Sequence, residues 1–346
     1  MTITGGTIET AAKGANAVCA TNNGKVTISG TKITSTATSS ARGLHATYGG
    51  TITATSVEIS STGGSCATLA TDRGEGTVTC NTCTLTTSGS GSPLIYSTGQ
   101  IKASGSTGTS NGAQAVVVEG KNTATIENSN FKCNGIGNRN NVDKCGVMLY
   151  QSMSGDADSG TSTFNCESST IEIMSGSSVF AQAPMFFITN TDAAINLKDC
   201  TFTYGSNIFL NAAGTSEWGS TGSNGGVVTL TLENQNIVGN FVVDEYSGLT
   251  IIMKGNSSIK GTINGAKTAA KLIIEMDSSS SIELTGNSYY TSLTNEGGSI
   301  NQGSFEWSNY EEKTISRPSG NSGGPNGEFG PSGKKKKLNG NFINSS

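Results

Sequence analysis

Hydrophobic and polar residues alternate over short runs along most of the chain, and the runs recur at a regular interval. The stretch from Lys25 to Gln100 contains one unit three times: KVTISGTKITS to ARGLHATYGG, TITATSVEISS to CATLATDRGEG, and TVTCNTCTLTT to PLIYSTGQ. Each unit has three short runs separated by small residues, and the next unit starts after about 24 to 26 residues. Such alternation is typical of half-buried strands, so each unit is predicted to be one coil of a solenoid.

Aligning the units predicts which side chains face the interior. Side chains alternate across a strand, so Ile52 and Ala54 share a face, as do Val57 and Ile59. The odd step from Ala54 to Val57 requires a bend, which small residues permit. The predicted interior columns are Ile3, Val26, Ile52 and Val78; Ile8, Ile33, Ile59, Leu85, Phe131, Ile171 and Phe202; and Val18, Leu44, Ile95 and Val116, with Thr68 as a polar member.

These columns predict an all-β fold: a right-handed single-stranded parallel β-helix (β-solenoid) of about 12 coils, with about 22–40 residues in each. The predicted β-helix covers residues 1–315. Beyond it the composition changes to Pro, Gly, Asn and Lys, with Pro318, Pro325, Pro331 and the run Lys334–Lys337. Residues 316–346 are therefore predicted to be a disordered tail.

Three polar segments interrupt the regular coils, at Asn134–Asp143, Gly155–Ser162 and Ala213–Gly226. Insertions in a solenoid tend to project from one face, which is often the binding face. The middle coils that carry them are therefore predicted to be the functional part, and the regular coils a spacer.

Composition limits the classes of partner. Charged residues make up 13% of the chain, hydrophobic residues 34%, and the formal net charge is -4. A mildly acidic chain argues against nucleic acid, which needs clustered Lys and Arg on one face. No apolar stretch approaches the roughly 18 residues of a membrane span. The sequence predicts no cofactor.

The run of coils resembles the right-handed parallel β-helices of the pectin-lyase-like superfamily, and more narrowly the large secreted or surface β-helix proteins of gut anaerobes. The phrases that carry this resemblance are PLIYSTGQI, VVVEGKNTATIENS, VMLYQSMSGDADSGTS and FITNTDAAINLKDCTF, and it covers Thr2 to Trp307. It implies an adhesin-like protein, extracellular or at the cell surface. Lyases, hydrolases, adhesins and ice-binding proteins share this fold, so the resemblance does not decide function.

An enzyme of this fold that cleaves polysaccharide needs two carboxylates on the outer face of neighbouring coils. Glu127 and Glu167 fall at one corner of adjacent coils, with Lys198 on the next, and they form the best acid pair in the sequence. The competing interpretation is a solvated charge ladder. A second motif, Asp156-x-Asp158, resembles the start of a calcium loop but lacks the later ligands, which favours a polar turn.

The third strand of each coil suggests a binding surface. If its main apolar residues face inward, their neighbours form an outward column. His45, Tyr96 and Tyr150 are the candidate ligand-binding residues of this column, because exposed rings stack against sugars or a partner protein. An error of one residue in the alternation would instead bury the column. Its members are Cys19, His45, Leu69, Tyr96, Val117 and Tyr150.

Threonine pairs occupy the outward side of the first strand in several coils. Ice-binding β-solenoids use such flat threonine arrays. Lys25 and Lys102 interrupt the array, however, and threonine is a common outward residue in any strand. The pairs are Thr2-x-Thr4, Thr51-x-Thr53, Thr77-x-Thr79 and Thr123-x-Thr125.

The chain contains eight cysteines and one histidine. Cys133 and Cys145 bracket a polar loop, and a disulfide between them is predicted to stabilise it. Cys80 and Cys83 are interpreted as small residues packed at a coil corner. His45 has no Cys or Ser together with an acid nearby in the pattern, so no catalytic triad is predicted.

The sequence therefore favours a non-catalytic, extracellular or cell-surface β-helical protein that is adhesin-like and binds glycans or a cell-surface protein. A polysaccharide lyase or glycoside hydrolase that uses Glu127 and Glu167 is the first alternative. An ice-binding β-solenoid is the second.

Overall fold

The computed structural model describes residues 1–139 and 142–316 of the chain. Within these ranges every regular element is a β-strand, and the strands pair in parallel to form long stacked sheets. The predicted parallel β-helix is confirmed. Beyond residue 316 the predicted tail lies outside the described residues, as do residues 140 and 141 of the first insertion.

Sheet A is a 12-stranded sheet that receives the first strand of each coil. Its strands are Thr2–Thr4, Lys25–Ser29, Gly50–Thr55, Gly76–Asn81, Gln100–Ser104, Thr123–Glu127, Thr161–Glu167, Asp192–Lys198, Val227–Glu233, Gly248–Lys254, Lys271–Met276 and Ser292–Asn295.

The second strands form two separate sheets. Sheet B has eight strands: Thr7–Thr10, Lys32–Ser35, Glu58–Ser61, Thr84–Thr87, Thr107–Ser110, Asn130–Cys133, Thr170–Ile173 and Thr201–Thr203. Sheet B′ has four strands: Asn236–Val238, Ser258–Gly261, Ser281–Leu284 and Ser299–Asn301.

Most third strands form the nine-stranded sheet C: Val18–Ala20, Leu44–Ala46, Leu69–Thr71, Ile95–Ser97, Val116–Glu119, Val147–Tyr150, Phe186–Thr189, Ile208–Ala212 and Asn240–Val243. A two-stranded sheet of Ser288–Tyr290 and Trp307–Asn309 lies near the end of the described chain.

The interior columns follow the prediction with two corrections. Val26, Ile52 and Val78 stack in register as predicted. Ile3, however, lies against Ile28, because the first strand pairs two residues further along its neighbour. Thr2 and Thr4 shift with it, so this threonine pair is displaced by one outward position from the other pairs.

The second correction concerns the third strand. Leu69 lies between Leu44 and Ile95 in the interior column of sheet C, so Leu69 is an inward residue and Thr68 is not the column member. Thr68 is buried instead just before the strand, where its hydroxyl donates to the carbonyl of Leu94 at 2.6 Å. The column along sheet B is as predicted, with Gly108 stacked between Leu85 and Phe131.

The predicted bend lies at a regular corner between sheets A and B. Ser56 occupies this corner with φ of 54°, and the following Val57 is buried. Small or short polar residues tolerate the left-handed conformation best, which explains the polar step in each unit. The equivalent corner residues with positive φ are Gly30, Thr82, Gly105, Asn128, Ser168, Asp199 and Asn234.

A buried ladder of hydrogen bonds follows this corner from coil to coil. The backbone N–H of Ser106 donates to Ser129 Oγ at 3.0 Å, and the N–H of Ser129 donates to Ser169 Oγ at 3.0 Å. Each serine therefore satisfies a buried donor of the preceding coil, which a buried backbone group requires.

The cysteine predictions need correction. Cys80 and Cys83 form a disulfide at the corner, with Cα atoms 6.2 Å apart, and are not simply packed as small residues. Cys133 and Cys145 are free thiols, and the predicted disulfide between them is wrong. The reason is that Cys133 packs in the main interior, whereas Cys145 packs in a separate cluster outside sheet C.

Candidate functional site

The outer face of sheet C is covered rather than exposed. Val117, Met148 and Phe187 stack there in register. Trp218, from the third insertion, packs edge-on against Tyr150 with ring centroids 5.2 Å apart. The outward column is therefore correct in direction except at Leu69, but the insertions bury most of it.

The three predicted ligand-binding residues are consequently not an exposed stripe. His45 and Tyr150 are only 7% and 8% exposed, and Tyr96 is partly buried. Tyr150 also lies one outward position beyond Tyr96, since Tyr96 pairs with Val117 while Tyr150 pairs with Glu119. The expectation that these side chains are exposed is therefore corrected, and ligand binding by them stays a prediction.

A buried carboxylate joins the two tyrosines. Glu119 is fully buried and accepts hydrogen bonds from the hydroxyls of Tyr96, Tyr150 and Ser152, the one from Tyr150 at 3.1 Å. Burial raises the pKa of Glu119, and the hydrogen bonds from the three hydroxyls oppose that shift. This cluster ties Ser152, just before the second insertion, to sheet C, which is typical of a structural anchor.

The outer face of sheet A carries polar columns. Thr51 and Thr77 stack in register, as do Thr53 and Thr79. Gln100 and Lys102 follow them and interrupt both columns. Ice binding by the threonine array therefore stays a prediction, which a measurement of thermal hysteresis in solution would test.

The predicted acid pair lies on the same face. Glu127 pairs in register with Glu167, and Glu167 with Lys198, as the sequence predicts. Each carboxylate is held by a lysine: Lys102 Nζ lies 2.7 Å from Glu127 and Lys198 Nζ lies 3.3 Å from Glu167. A shallow groove of about 270 Å³ runs beside them.

The predicted metal candidates are engaged elsewhere. Asp156 accepts a hydrogen bond from Arg73 Nε, and Asp158 lies 3.1 Å from Lys121 Nζ. Within the described residues no group of three or more His, Cys, Asp and Glu could hold a metal ion. The two aspartates fasten the second insertion to earlier coils, because both partners belong to preceding coils.

A cleft opens where sheet B stops and sheet B′ begins. Thr201–Thr203 pairs only with the preceding strand of sheet B, and Asn236–Val238 only with the following strand of sheet B′. Sheets A and C nevertheless remain paired on both sides of this level. The two coils are thus splayed apart at one corner, leaving a cavity of about 480 Å³ that is open to solvent.

Gln235 explains the splaying at the corner. It occupies the position that Ser129, Ser169 and Ser257 take in other coils, and its longer side chain reaches the backbone of Cys200. Its Oε1 accepts from the N–H of Cys200 at 2.8 Å, and its Nε2 donates to the carbonyl of Cys200 at 2.7 Å. The side-chain amide of Gln235 therefore makes hydrogen bonds to the Cys200 backbone, in the place that a shorter serine hydroxyl takes in regular coils.

Aromatic rings form the floor of the cleft. Phe209 is fully buried and lies 5.5 Å from Phe202 and 6.2 Å from Tyr204, centroid to centroid. Phe202 and Tyr204 are partly exposed. The hydroxyl of Tyr204 donates to the carbonyl of Val238 at 2.6 Å and so spans the cleft at the end opposite Gln235.

Polar side chains line the other side of the cleft. Asp199 and Asn234 occupy the two successive corners, and Asn234 Nδ2 donates to Asp199 Oδ1. Asn236 Oδ1 accepts from Ser258 Oγ at 2.7 Å, which orients its amide nitrogen as a donor. The cleft therefore combines ring surfaces with a carboxylate and two amides.

Sequence reasoning missed this cleft. Its strands are regular in alternation, so the interruption of strand pairing has no periodic signature. The available signal is Gln235, which replaces a small residue at the corner, together with the aromatic residues Phe202, Tyr204 and Phe209 on the preceding coil.

The chain matches none of the protein-family models, curated proteins or solved structures with which it was compared. In addition, no helix within residues 1–139 and 142–316 is long and apolar enough to cross a membrane. The parallel β-helix is thus shown by the strand pairing alone.

Proposed function

We propose that this chain is a non-catalytic β-helical surface protein, adhesin-like and extracellular, that binds a glycan in the cleft between sheets B and B′. The observation that carries the proposal is the solvent-open cavity of about 480 Å³ beside Phe202 and Tyr204. Its volume lies within the range of small-molecule sites, and its lining has the usual mixture of apolar surface with a few polar groups.

The chemistry of the lining favours a sugar over a purely apolar ligand. Sugar rings present C–H faces that pack on aromatic rings, and hydroxyls that need hydrogen-bonding partners. Tyr204 and Phe202 supply the rings, and Asp199, Asn234 and Asn236 supply acceptors and donors. Val238, which is 71% exposed at the rim, extends the apolar contact.

The disulfide of the chain supports the proposed extracellular location. Cys80 and Cys83 form a disulfide, and disulfides persist mainly in extracellular and other oxidising compartments. The proposal therefore places the chain outside the cell or on its surface, where glycans are accessible partners.

A glycan array followed by calorimetry on the hits tests the proposal. Tyr204→Ala is expected to weaken binding about tenfold, which corresponds to about 1.4 kcal/mol, whereas Tyr204→Phe keeps the ring and most of the affinity. Tyr48→Ala is the matched control, because Tyr48 is 54% exposed on a distant early coil. An array that stays blank for the intact chain, or equal affinity for Tyr204→Ala, contradicts the proposal.

A second candidate function is polysaccharide cleavage on sheet A, favoured by the register pairing of Glu127 with Glu167. The lysine partners of both carboxylates count against it, because each carboxylate is already engaged in an ion pair with a side chain of this chain. Release of oligosaccharide by the intact chain, abolished in Glu167→Gln, would establish this alternative.

A further inference from the structure

Three chemically reactive side chains lie in a row on the outer face of sheet C, in the early coils. Cys19 pairs in register with His45, and Asp72 directly follows the next strand, Leu69–Thr71. Cys19 Sγ lies 3.9 Å from His45 Nδ1, and His45 Nε2 lies 3.6 Å from Asp72 Oδ2. The residues are far apart in sequence, which is why the linear pattern did not predict this row.

Hydrogen bonds fix which nitrogen of His45 carries the proton. The backbone N–H of Arg42 donates to Asn16 Oδ1 at 2.9 Å, so the amide nitrogen of Asn16 faces His45. Asn16 Nδ2 therefore donates to His45 Nδ1 at 2.9 Å, and Nδ1 must be the acceptor. In the neutral imidazole the proton then lies on Nε2, facing Asp72.

The surroundings hold this imidazole in position. His45 is only 7% exposed, and Arg42 lies 3.7 Å from the same carboxylate oxygen of Asp72. The close contact with His45, the hydrogen bond from the backbone N–H of Arg73 at 2.8 Å and the charge of Arg42 lower the pKa of Asp72 to about 2. Asp72 is consequently ionised and stabilises positive charge on the ring, as the acid of a catalytic triad does.

Cys19 is accessible to a reaction partner. It is exposed, whereas the other free cysteines of the described residues are buried. Burial of part of its surface raises the pKa of the Cys19 thiol, so the resting group is the thiol and not the thiolate. Attack by sulfur therefore needs a nearby base to accept the proton.

We propose that Cys19 is a nucleophilic thiol that exchanges with disulfides, with His45 as general base and Asp72 as its positioning residue. When Asn16 Nδ2 releases His45 Nδ1, the proton of Cys19 Sγ moves to that nitrogen as Sγ attacks one sulfur of a disulfide R–S–S–R. The Sγ–S bond forms and the S–S bond breaks. The leaving thiolate takes the proton back from His45, which restores the neutral ring and leaves a mixed disulfide on Cys19.

A disulfide is the substrate class that this arrangement fits. Exchange needs an accessible sulfur and a proton acceptor, and the row contains both. Acyl transfer would in addition require donors for an oxyanion. The product is a covalent link between the early coils and a molecule or protein that carries a disulfide.

The test is the rate at which the full chain reacts with cystamine and with oxidised glutathione, with the modified residue identified by mass spectrometry. The wild-type chain is expected to form a mixed disulfide at Cys19. The His45→Gln variant is expected to react at least about tenfold more slowly. Asn16→Ala removes the competing donor from Nδ1 and should react faster than wild type.

The pH profile separates base assistance from a structural role. For His45→Gln the logarithm of the rate should rise with a slope of about 1 between roughly pH 6 and 8, because only the thiolate reacts. The wild-type slope should be smaller, and Asp72→Asn should move towards the His45→Gln profile. Equal rates and slopes in wild type and His45→Gln, or modification mainly at another cysteine, would overturn the proposal.

Discussion

Sheets A and B arise from adjacent strands of the same coils. Of the two, only sheet A is continuous, with twelve paired strands. Sheet B ends at Thr201–Thr203, and sheet B′ starts anew at Asn236–Val238. At the level of the break, the sheet A strands Asp192–Lys198 and Val227–Glu233 still pair with each other at seven residues. A solenoid can therefore open a cleft at one corner while the neighbouring sheet keeps the coils aligned.

The difference lies in a few side chains. Where sheet B is continuous, corner serines such as Ser129 and Ser169 bridge successive coils. At the break Gln235 makes the bridge, and the rings of Phe202 and Phe209 pack against each other. One exceptional corner can thus open a cleft in a repeat fold.

The largest expected effect comes from removing the aromatic support of the break. Phe209→Ala should lower the free energy of unfolding by about 3–5 kcal/mol, because a fully buried ring is lost and a cavity remains. It should also weaken glycan binding, since Phe202 and Tyr204 rest on this ring. Urea unfolding and calorimetry measure the two effects.

Phe164→Ala is the matched control for that variant. Phe164 is equally buried, but it belongs to a strand of the continuous sheet A. It should cost a similar free energy of unfolding and leave glycan binding unchanged in the folded fraction. Loss of binding in both variants would mean that the break has no special role.

Gln235→Ser tests the spacer directly. The serine cannot reach Cys200 across the splayed corner, so a buried N–H and a buried carbonyl lose their partners, at a cost of about 1–3 kcal/mol unless the strands close up. Either response alters the cleft, and glycan affinity should fall. Ser129→Ala, at the same corner of a regular coil, should cost a comparable amount of stability without changing affinity.

A pH effect is expected at another corner, just before the strand Ser281–Leu284 of sheet B′. Asp277 accepts hydrogen bonds from Ser280, from the N–H of Gly255 and from Ser279, which lower its pKa from 3.8 to about 2. A lowered folded-state pKa means that the stabilisation is present above pH 3.8 and is lost as pH falls towards 2. Asp277→Asn should remove that part of the acid dependence, measured by urea unfolding over this pH range.

The smallest effect is expected on the open face of sheet A. Glu233 lies 3.5 Å from Lys198 and 2.9 Å from Lys254, and all three side chains are substantially exposed. Exposed ion pairs contribute little, because water and salt screen them. Glu233→Ala should therefore leave the unfolding midpoint unchanged within error, in low and in moderate salt. A clear loss of stability would show that the charge ladder helps to hold sheet A together.

The sequence predicted the fold because the fold depends on repetition. Ile52 and Val78 occur at the same position of the repeat, so their stacking could be inferred from spacing alone. The inward position was ambiguous where either of two neighbouring residues could face the interior, as at Thr68 and Leu69. There the structure resolves the choice, because a leucine continues the interior column and a threonine can hydrogen-bond at the corner.

The sites were less predictable because they depend on departures from repetition. Tyr150 faces outward as expected, but its burial depends on Trp218, which arrives from a later coil. The contact of Cys19 with His45 follows from the register of sheet C, and the position of Asp72 beyond the next strand could not be inferred from the pattern. The effect of Gln235 required knowing where the corner serines point.

The most direct test of the central claim is glycan binding by the wild-type chain compared with Gln235→Ser, measured by calorimetry on the glycan that the array identifies. The account predicts that the folded Gln235→Ser protein binds at least about tenfold more weakly, while Ser129→Ala binds like wild type. Equal affinity in all three proteins would contradict the claim that the break in sheet B is the binding site.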